Sequence, residues 1–309
     1  MDLRFQKRLL DLSIRMFVKG EGMPSPIKFA PQKTAILPAF PETAHPFECA
    51  SPEQVGLSEE YIKSYLSALE ANREVNLHSL VVLRDGKLIL SGSARPYSTL
   101  RPQLTYSMSK TVVAMAIGLL ISEGKLSLDR RAYSLFPSSR LPALLSSRIK
   151  AITVEHLLTM QAGVFFNEGG SVTEEDWVRS FFDSAVKFEP GTAFAYNSMN
   201  SYVLSAIVRE VSGKSLNEFL EERLWKPLGI TSHFWEKCPM GIEKGGWGLY
   251  LRPYDMAKLG QLMLDGGSFD GRRVLPRSWV HEMLRAHAEV PTEAGNYNYG
   301  YQICTLWLR

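Results

Sequence analysis

One run of residues constrains this chain more than any other. It is Thr105-Tyr-Ser-Met-Ser-Lys110, followed directly by Thr111-Val-Val-Ala-Met-Ala-Ile-Gly-Leu-Leu-Ile121. The stretch after Lys110 is apolar around its whole circumference, and Ser122-Glu-Gly124 closes it. A helix without a polar face must be packed on every side. With about ten apolar residues it falls short of the ~20 that a membrane span needs, so it reads as a core helix. Ser107 falls in its first turn and Lys110 one turn later, and residues three apart share a helix face. A serine hydroxyl beside an amine is a nucleophile with its base at hand.

The spacing alone does not decide between chemistry and structure. Ser-x-x-Lys occurs five times, at Ser25, Ser107, Ser122, Ser147 and Ser184. Ser25 lies among prolines, Ser122 ends a helix, and Ser147 and Ser184 sit in polar stretches. Only Ser107 opens a fully apolar helix able to bury and desolvate the lysine. Two readings stay open here: a nucleophile with its base, or a helix whose N-cap is Thr105, Ser107 or Ser109.

The remaining composition narrows the class. The 309 residues suffice for one large domain or two modest ones. A hydrophobic content of 45% with 22% charged residues is that of a soluble globular protein. The net charge of +3, spread along the chain, gives no basic stripe for nucleic acid. Cys49, Cys238 and Cys304 fit neither a disulfide framework nor a zinc site and read as buried free thiols. Arg4, Lys7, Arg8, Asp11 and Arg15 interrupt any secretory core, so a cytoplasmic protein is expected.

Taken in order, residues 1–19 place Leu3, Leu10, Ile14 and Phe17 on one stripe of an amphipathic helix, with basic residues elsewhere. Such a helix can lie on a membrane, but packing against its own domain or a partner is the more frequent use. Prolines at 24, 26, 31, 38, 41 and 46 make an extended connector. A domain over 47–309 is expected to follow. Ser58 caps a helix to about Arg73, and Asp85-Gly86 joins two β-rich runs over 78–91 as a hairpin. Helices are expected over 152–160, 177–185, 202–212, 216–224, 254–264 and 278–285, and a strand over 297–307. Strands at both ends and helices between predict an α+β protein. Its antiparallel sheet, drawn from about 47–106 and 268–309, carries an inserted helical region over about 107–267. The nucleophile would sit where the two parts meet.

Several chemistries are absent from the sequence: Gly-x-Ser-x-Gly, His-Glu-x-x-His, a phosphate loop and Gly-x-Gly-x-x-Gly. His156, on an apolar helix face, reads as a hydrogen-bonded core residue. Tyr196 is more informative, because it follows the Pro190-Gly191 turn and precedes an apolar helix, as Ser107 does. Near Lys110 its pKa would be lowered by the ammonium, while burial would depress that of the lysine. Either group could then carry the serine proton to a leaving group. A core aromatic is the alternative reading.

Ser107-Met-Ser-Lys110 and Tyr196-Asn-Ser198 resemble the first two motifs of the serine β-lactamase and penicillin-binding-protein superfamily. The surroundings resemble its class C-like branch, which also holds esterases and 6-aminohexanoate-dimer hydrolase. The matching segments are Glu123-Gly-Lys-Leu-Ser-Leu-Asp129, Ile152-Thr-Val-Glu-His-Leu-Leu-Thr159, Phe188-Glu-Pro-Gly-Thr192, Leu224-Trp-Lys-Pro-Leu-Gly229 and Met256-Ala-Lys-Leu-Gly260. Together they run over roughly 50–303 in the family's order. Ser198, where β-lactamases carry asparagine, is similar to the dimer-hydrolase-like members. The resemblance implies a β-lactamase-like fold and hydrolysis of an ester or amide, linear amides and β-lactams among them. It implies Ser107 as the acylated nucleophile, Lys110 and Tyr196 as general base and acid, and Ser198 as a substrate-binding partner in the cleft. No metal or cofactor is implied.

The family's third motif, Lys-Thr-Gly or His-x-Gly, lies downstream of the Tyr299-Gly-Tyr301 strand and is not in this sequence. The expectation is therefore a chain without the family's C-terminal strands and helix. It would lack one oxyanion-hole donor, worth about 3–4 kcal/mol of transition-state stabilisation. An unpaired sheet edge would then invite self-association. The rival reading is a catalytically inactive homologue that binds a ligand or partner through the same cleft.

Overall fold

The computed structural model describes residues 47–171, 173–292 and 295–305. The expected helix over 1–19 and the proline-rich connector lie outside them. The apolar run forms helix α2 (Met108–Ser122), which follows α1 (Glu59–Ala71) and strands β1 (Ser79–Arg84), β2 (Lys87–Ser93) and β3 (Gln103–Leu104). Then come α3 (Ser147–Ala151), α4 (Val154–Leu158), α5 (Glu168–Ser171), α6 (Trp177–Phe182), α7 (Ser198–Ser212) and α8 (Leu216–Leu220). Next are β4 (His233–Trp235), β5 (Leu249–Leu251), α9 (Pro253–Leu264), β6 (Ser268–Phe269) and β7 (Arg272–Arg273). The last described elements are α10 (Arg277–Leu284), β8 (Ala288–Thr292), β9 (Gly295–Tyr299) and β10 (Cys304–Thr305). No helix of the described residues is long and apolar enough to cross a membrane.

Helix α2 is enclosed as its composition requires: every residue from Val112 to Leu120 is buried. Helix α7 packs along it, and α4 packs on α7. From a third side comes α10, whose Trp279 lays its indole over Gly118 and donates from Nε1 to the Ala114 carbonyl at 3.0 Å. A Cβ at Gly118 would overlap that indole, so this glycine is fixed by close approach.

Local chemistry sets most element ends. Ser58 Oγ accepts from Tyr61 N, and Asp85 (φ 52) with Gly86 (φ 74) makes the tight hairpin turn. Thr153 and His156 close a reciprocal cap on α4, which gives His156 its hydrogen bond. Gly213 (φ 70) terminates α7.

The strands depart from the single sheet expected. Among the described residues they form four small antiparallel sheets: β1–β2, β3–β5–β4, β6–β7 and β8–β9–β10. The hairpin sits on α9 through Phe47, Leu88 and Tyr254, whose hydroxyl reaches Ser91 Oγ at 3.0 Å. The C-terminal strands are instead tied to helices. Tyr301 donates to Glu155 at 2.8 Å, and Gln302 Nε2 to the Leu157 and Leu158 carbonyls at 2.9 Å each. The expected continuous strand over 297–307 breaks at Gly300–Ile303, where Gln302 is left-handed (φ 59) to make those bonds. The cysteines also differ from expectation: only Cys238 is buried, while Cys49 and Cys304 are exposed.

Two of the segments that carry the resemblance, 224–229 and 256–260, are joined as scaffold. Arg252 chelates the fully buried Asp255 at 2.6 and 3.0 Å. Lys258, 3.3 Å from the same carboxylate, donates to the Gly229 carbonyl at 2.9 Å and so ties the Pro227–Gly229 turn to α9.

Two glycines on helices separate packing from propensity. Gly118→Ala should destabilise the protein by about 1–3 kcal/mol, because overpacking outweighs the helix preference for alanine. At Gly260, exposed on α9 with open space around it, alanine should stabilise by about 0.5–1 kcal/mol. Denaturant midpoints measure both, and shifts of the same sign would show that the indole does not fix Gly118.

Candidate active site

Ser107 occupies the N-cap position of α2 with helical backbone angles (φ −68, ψ −12) and makes no side-chain cap bond. Its hydroxyl is therefore not spent on the helix. It receives a hydrogen bond from Tyr196 Oη at 2.9 Å and lies 3.1 Å from Lys110 Nζ. The preceding residue, Tyr106, is held in the left-handed region (φ 46), which costs a non-glycine residue about 1–3 kcal/mol. Its carbonyl is pinned by Ser109, through N at 3.1 Å and Oγ at 2.7 Å. The Ser107 N–H, by contrast, has no backbone acceptor among the described residues. It points from the start of a 15-residue helix, where the dipole favours negative charge.

Lys110 is 1% exposed, and its amine meets three oxygens: Ser107 Oγ, Ser198 Oγ at 2.9 Å and the Gly246 carbonyl at 2.6 Å. Burial lowers its pKa from 10.5 to about 8, while the charge of Glu168 pulls weakly the other way. An ammonium donates to all three oxygens. A neutral amine donates to two and turns its lone pair on the third. The Gly246 carbonyl can only accept, and the Ser198 hydroxyl is free to accept, so the lone pair is left for the Ser107 proton.

The tyrosine departs from expectation. The Tyr196 pKa is raised by burial, not lowered by the lysine, and the hydrogen bond with Ser107 only partly offsets this. Lys110 Nζ sits over the ring, 4.9 Å from its centroid, but with a pKa of about 8 the amine is already neutral where a phenol ionises. Tyr196 is a neutral phenol that donates to Ser107. It is 48% exposed and leans edge-on against Tyr299 at 6.4 Å.

Helix α7 brings in the fourth residue. Asn197 caps it through Met199 N, and its Nδ2 donates to the Val164 and Phe166 carbonyls at 3.0 and 2.8 Å. That clamp fixes the loop before α5 beside the site and leaves Ser198 turned toward Lys110. All four predicted residues are thus brought together.

Sequence reasoning missed Gly246, in the loop before β5. A Cβ there would stand 2.5 Å from the Ser198 carbonyl, so only glycine lets this backbone press on α7 and aim its own carbonyl at Lys110. The Gly245-Gly246 pair was the available signal, since adjacent glycines mark close backbone approach. Among the described residues no group of three or more His, Cys, Asp or Glu is placed to hold a metal.

A Ser-x-x-Lys helix facing a tyrosine at the entry of a second core helix, in an α+β fold of helices and small antiparallel sheets, defines a β-lactamase-like protein. The chain belongs to the beta-lactamase family, whose model matches residues 63–306. It is 28% identical over 240 residues to the 6-aminohexanoate-dimer hydrolase of Paenarthrobacter ureafaciens, covering 70% of this chain and 59% of that protein. To the lovastatin esterase of Penicillium rubens it is 26% identical over 212 residues, 59% of this chain and 51% of the esterase. The chain thus spans about half the length of these curated relatives. A penicillin-binding-protein homolog from Caulobacter crescentus shares the fold, with a TM-score of 0.66 and 17% identity over 83% of this chain and 82% of its own.

The buried amine makes stability depend on pH. Its native pKa, about 8, lies below the 10.5 of the unfolded chain, so between these values the unfolded state binds more protons. The contribution of this amine to stability should rise with pH across that window, and Lys110→Met should remove that contribution. The difference in urea midpoint between the two proteins, followed from pH 7.5 to 10.5, tests this. A flat difference would give the native amine an ordinary pKa.

Proposed function

We infer that the protein is a serine hydrolase that cleaves an ester or amide through an acyl-enzyme on Ser107. The observation that carries this is the set of contacts around Lys110. Two acceptors take its N–H groups, its pKa of about 8 leaves a useful neutral fraction near pH 7, and its third contact is Ser107 Oγ. The names of the relatives support the class, since they include a dimer hydrolase of 6-aminohexanoate and an esterase.

In this reading Ser107 Oγ attacks the substrate carbonyl as its proton passes to Lys110 Nζ. Negative charge gathers on the carbonyl oxygen, which the Ser107 N–H meets at the start of α2. As the C–O or C–N bond breaks, Tyr196 gives its phenolic proton to the leaving group, and the proton taken up by Lys110 returns to the phenolate through a water molecule. Water then attacks the acyl carbon with its proton taken by the same pair, and Ser107 leaves protonated. Ser198 and the Gly246 carbonyl orient the amine throughout.

A fluorophosphonate should add to the protein once, at Ser107, as read by intact-mass and peptide spectrometry. Lys110→Ala should suppress that addition without unfolding the chain. Tyr196→Phe, which keeps the ring, should reduce turnover of a p-nitrophenyl ester by about 10²-fold, the scale of a positioned acid–base group. Wild-type turnover should climb as pH rises toward 8, where the amine becomes neutral, and level off above it. Labelling at another serine would overturn the nucleophile, and full turnover in a folded Tyr196→Phe would overturn the role of the tyrosine. The absence of both labelling and turnover would leave a binding protein built on the same cleft.

A further inference from the structure

We propose that the half-open face of the β3–β5–β4 sheet, beginning at Tyr106 beside the nucleophile, binds an aromatic or alkyl substituent of the substrate. The cleft would then favour apolar esters or amides over compact ones. This deepens the hydrolase reading and rests on it.

Strand register fixes which residues share that face. Leu104 pairs with Tyr250, and Tyr250 with Phe234, so the three form one row across the sheet. Side chains alternate between faces along a strand. The residues flanking that row, Leu249, Leu251 and Trp235, are buried on the other face in the main core. The row itself stays open: Leu104 and Tyr250 are half-buried, and Phe234 is 49% exposed. Phe234 and Tyr250 lie with ring centroids 5.7 Å apart. Tyr250 is held in place by its hydroxyl, which donates to Glu236 Oε1 at 3.1 Å, and Glu236 is in turn held by Lys244 at 3.0 Å.

The row is continuous with the catalytic group. Tyr106 follows Leu104 by two positions and precedes Ser107, and its ring is 68% exposed. Thr105 N donates to the Leu249 carbonyl at 2.8 Å, so the chain still runs alongside β5 one residue before Tyr106. A tyrosine at φ 46 is costly where glycine or asparagine would sit with less strain, and the exposed ring gains little burial in return. A substrate group lying on it would supply that burial. Length agrees with a small-molecule occupant. Two strand spacings of about 4.8 Å make a row about 10 Å long, the reach of a phenylalkyl or medium alkyl group.

Two ester series test the proposal in the full chain. One keeps p-nitrophenol and changes the acyl group from acetate to hexanoate and phenylacetate. The other keeps acetate and changes the alcohol from methanol to 2-phenylethanol, followed by pH-stat. In at least one series kcat/KM should rise about tenfold or more with the apolar group, and that series tells which side of the scissile bond lies on the row. Phe234→Ser and Tyr106→Asn should bring the ratio toward one, while Leu144→Ser, at a 90% exposed leucine elsewhere, should not. An active enzyme with ratios near one in both series overturns the proposal. So does a Phe234→Ser that shifts the elution volume on size exclusion yet leaves the ratios intact, because the face would then join copies of the chain. Should no ester turn over, the hydrolase reading fails separately. Saturation-transfer NMR with the ketones benzylacetone and 2-butanone then decides binding. Ring saturation that Phe234→Ser abolishes supports the row, and its absence in the wild type overturns it.

Discussion

The structure depends on taking one amine out of water. A buried ammonium is expensive unless it is paired or changes its protonation state. Lys110 has no carboxylate within salt-bridge distance among the described residues; it has three oxygens, two of them hydroxyls and one a backbone carbonyl. Neutral dipoles compensate an ammonium only in part, which is why the native pKa falls to about 8. Each of the three oxygens belongs to a different piece of chain: the start of α2, the start of α7 and the loop before β5. The amine is therefore also the point at which those pieces are held in register.

That demand explains much of the packing around it. Helix α2 must be apolar on every side to exclude water from the amine, and α7, α10 and the C-terminal turn supply the cover. Thr111 Oγ1 donates to the Gln302 carbonyl at 3.1 Å, and Ser201 bonds the same glutamine's side chain, so this turn seals α2 against α7. Buried polar groups tolerate such positions when each finds a partner. The Arg252–Asp255–Lys258 cluster serves the same end farther out, holding the Gly229 turn to the helix that carries the β1–β2 hairpin.

The two protonic groups beside Ser107 are kept apart in character by their surroundings. Burial pushes the lysine toward its neutral form and the phenol of Tyr196 toward its neutral form as well. One is thereby a base near neutral pH and the other a hydrogen-bond donor, an assignment of roles made by environment. The charge of Lys110 does not acidify the phenol because, with a pKa of about 8, the amine is neutral before the phenol ionises.

Some of this could be read from the residues in order, because it depends on near neighbours. The all-apolar run required a buried helix, and a spacing of three placed Ser107 beside Lys110. Asp85-Gly86 required a tight turn, and Ser58 announced a helix start. These are contacts between residues one to four apart, set by backbone geometry. The rest depended on contacts far apart in sequence. Which carbonyl meets Lys110 was decided by Gly246, 136 positions away, because only there do two backbones approach closely enough. The direction of the Tyr196 pKa turned on its burial in the folded cleft, which no spacing encodes. The strands over 288–305 are tied to α4 through Tyr301 and Gln302, contacts that no local pattern announces. Sequence determined which segments had to be buried and which side chains were close at hand. Tertiary packing decided which distant groups met, and so the protonation and donor geometry of the cleft.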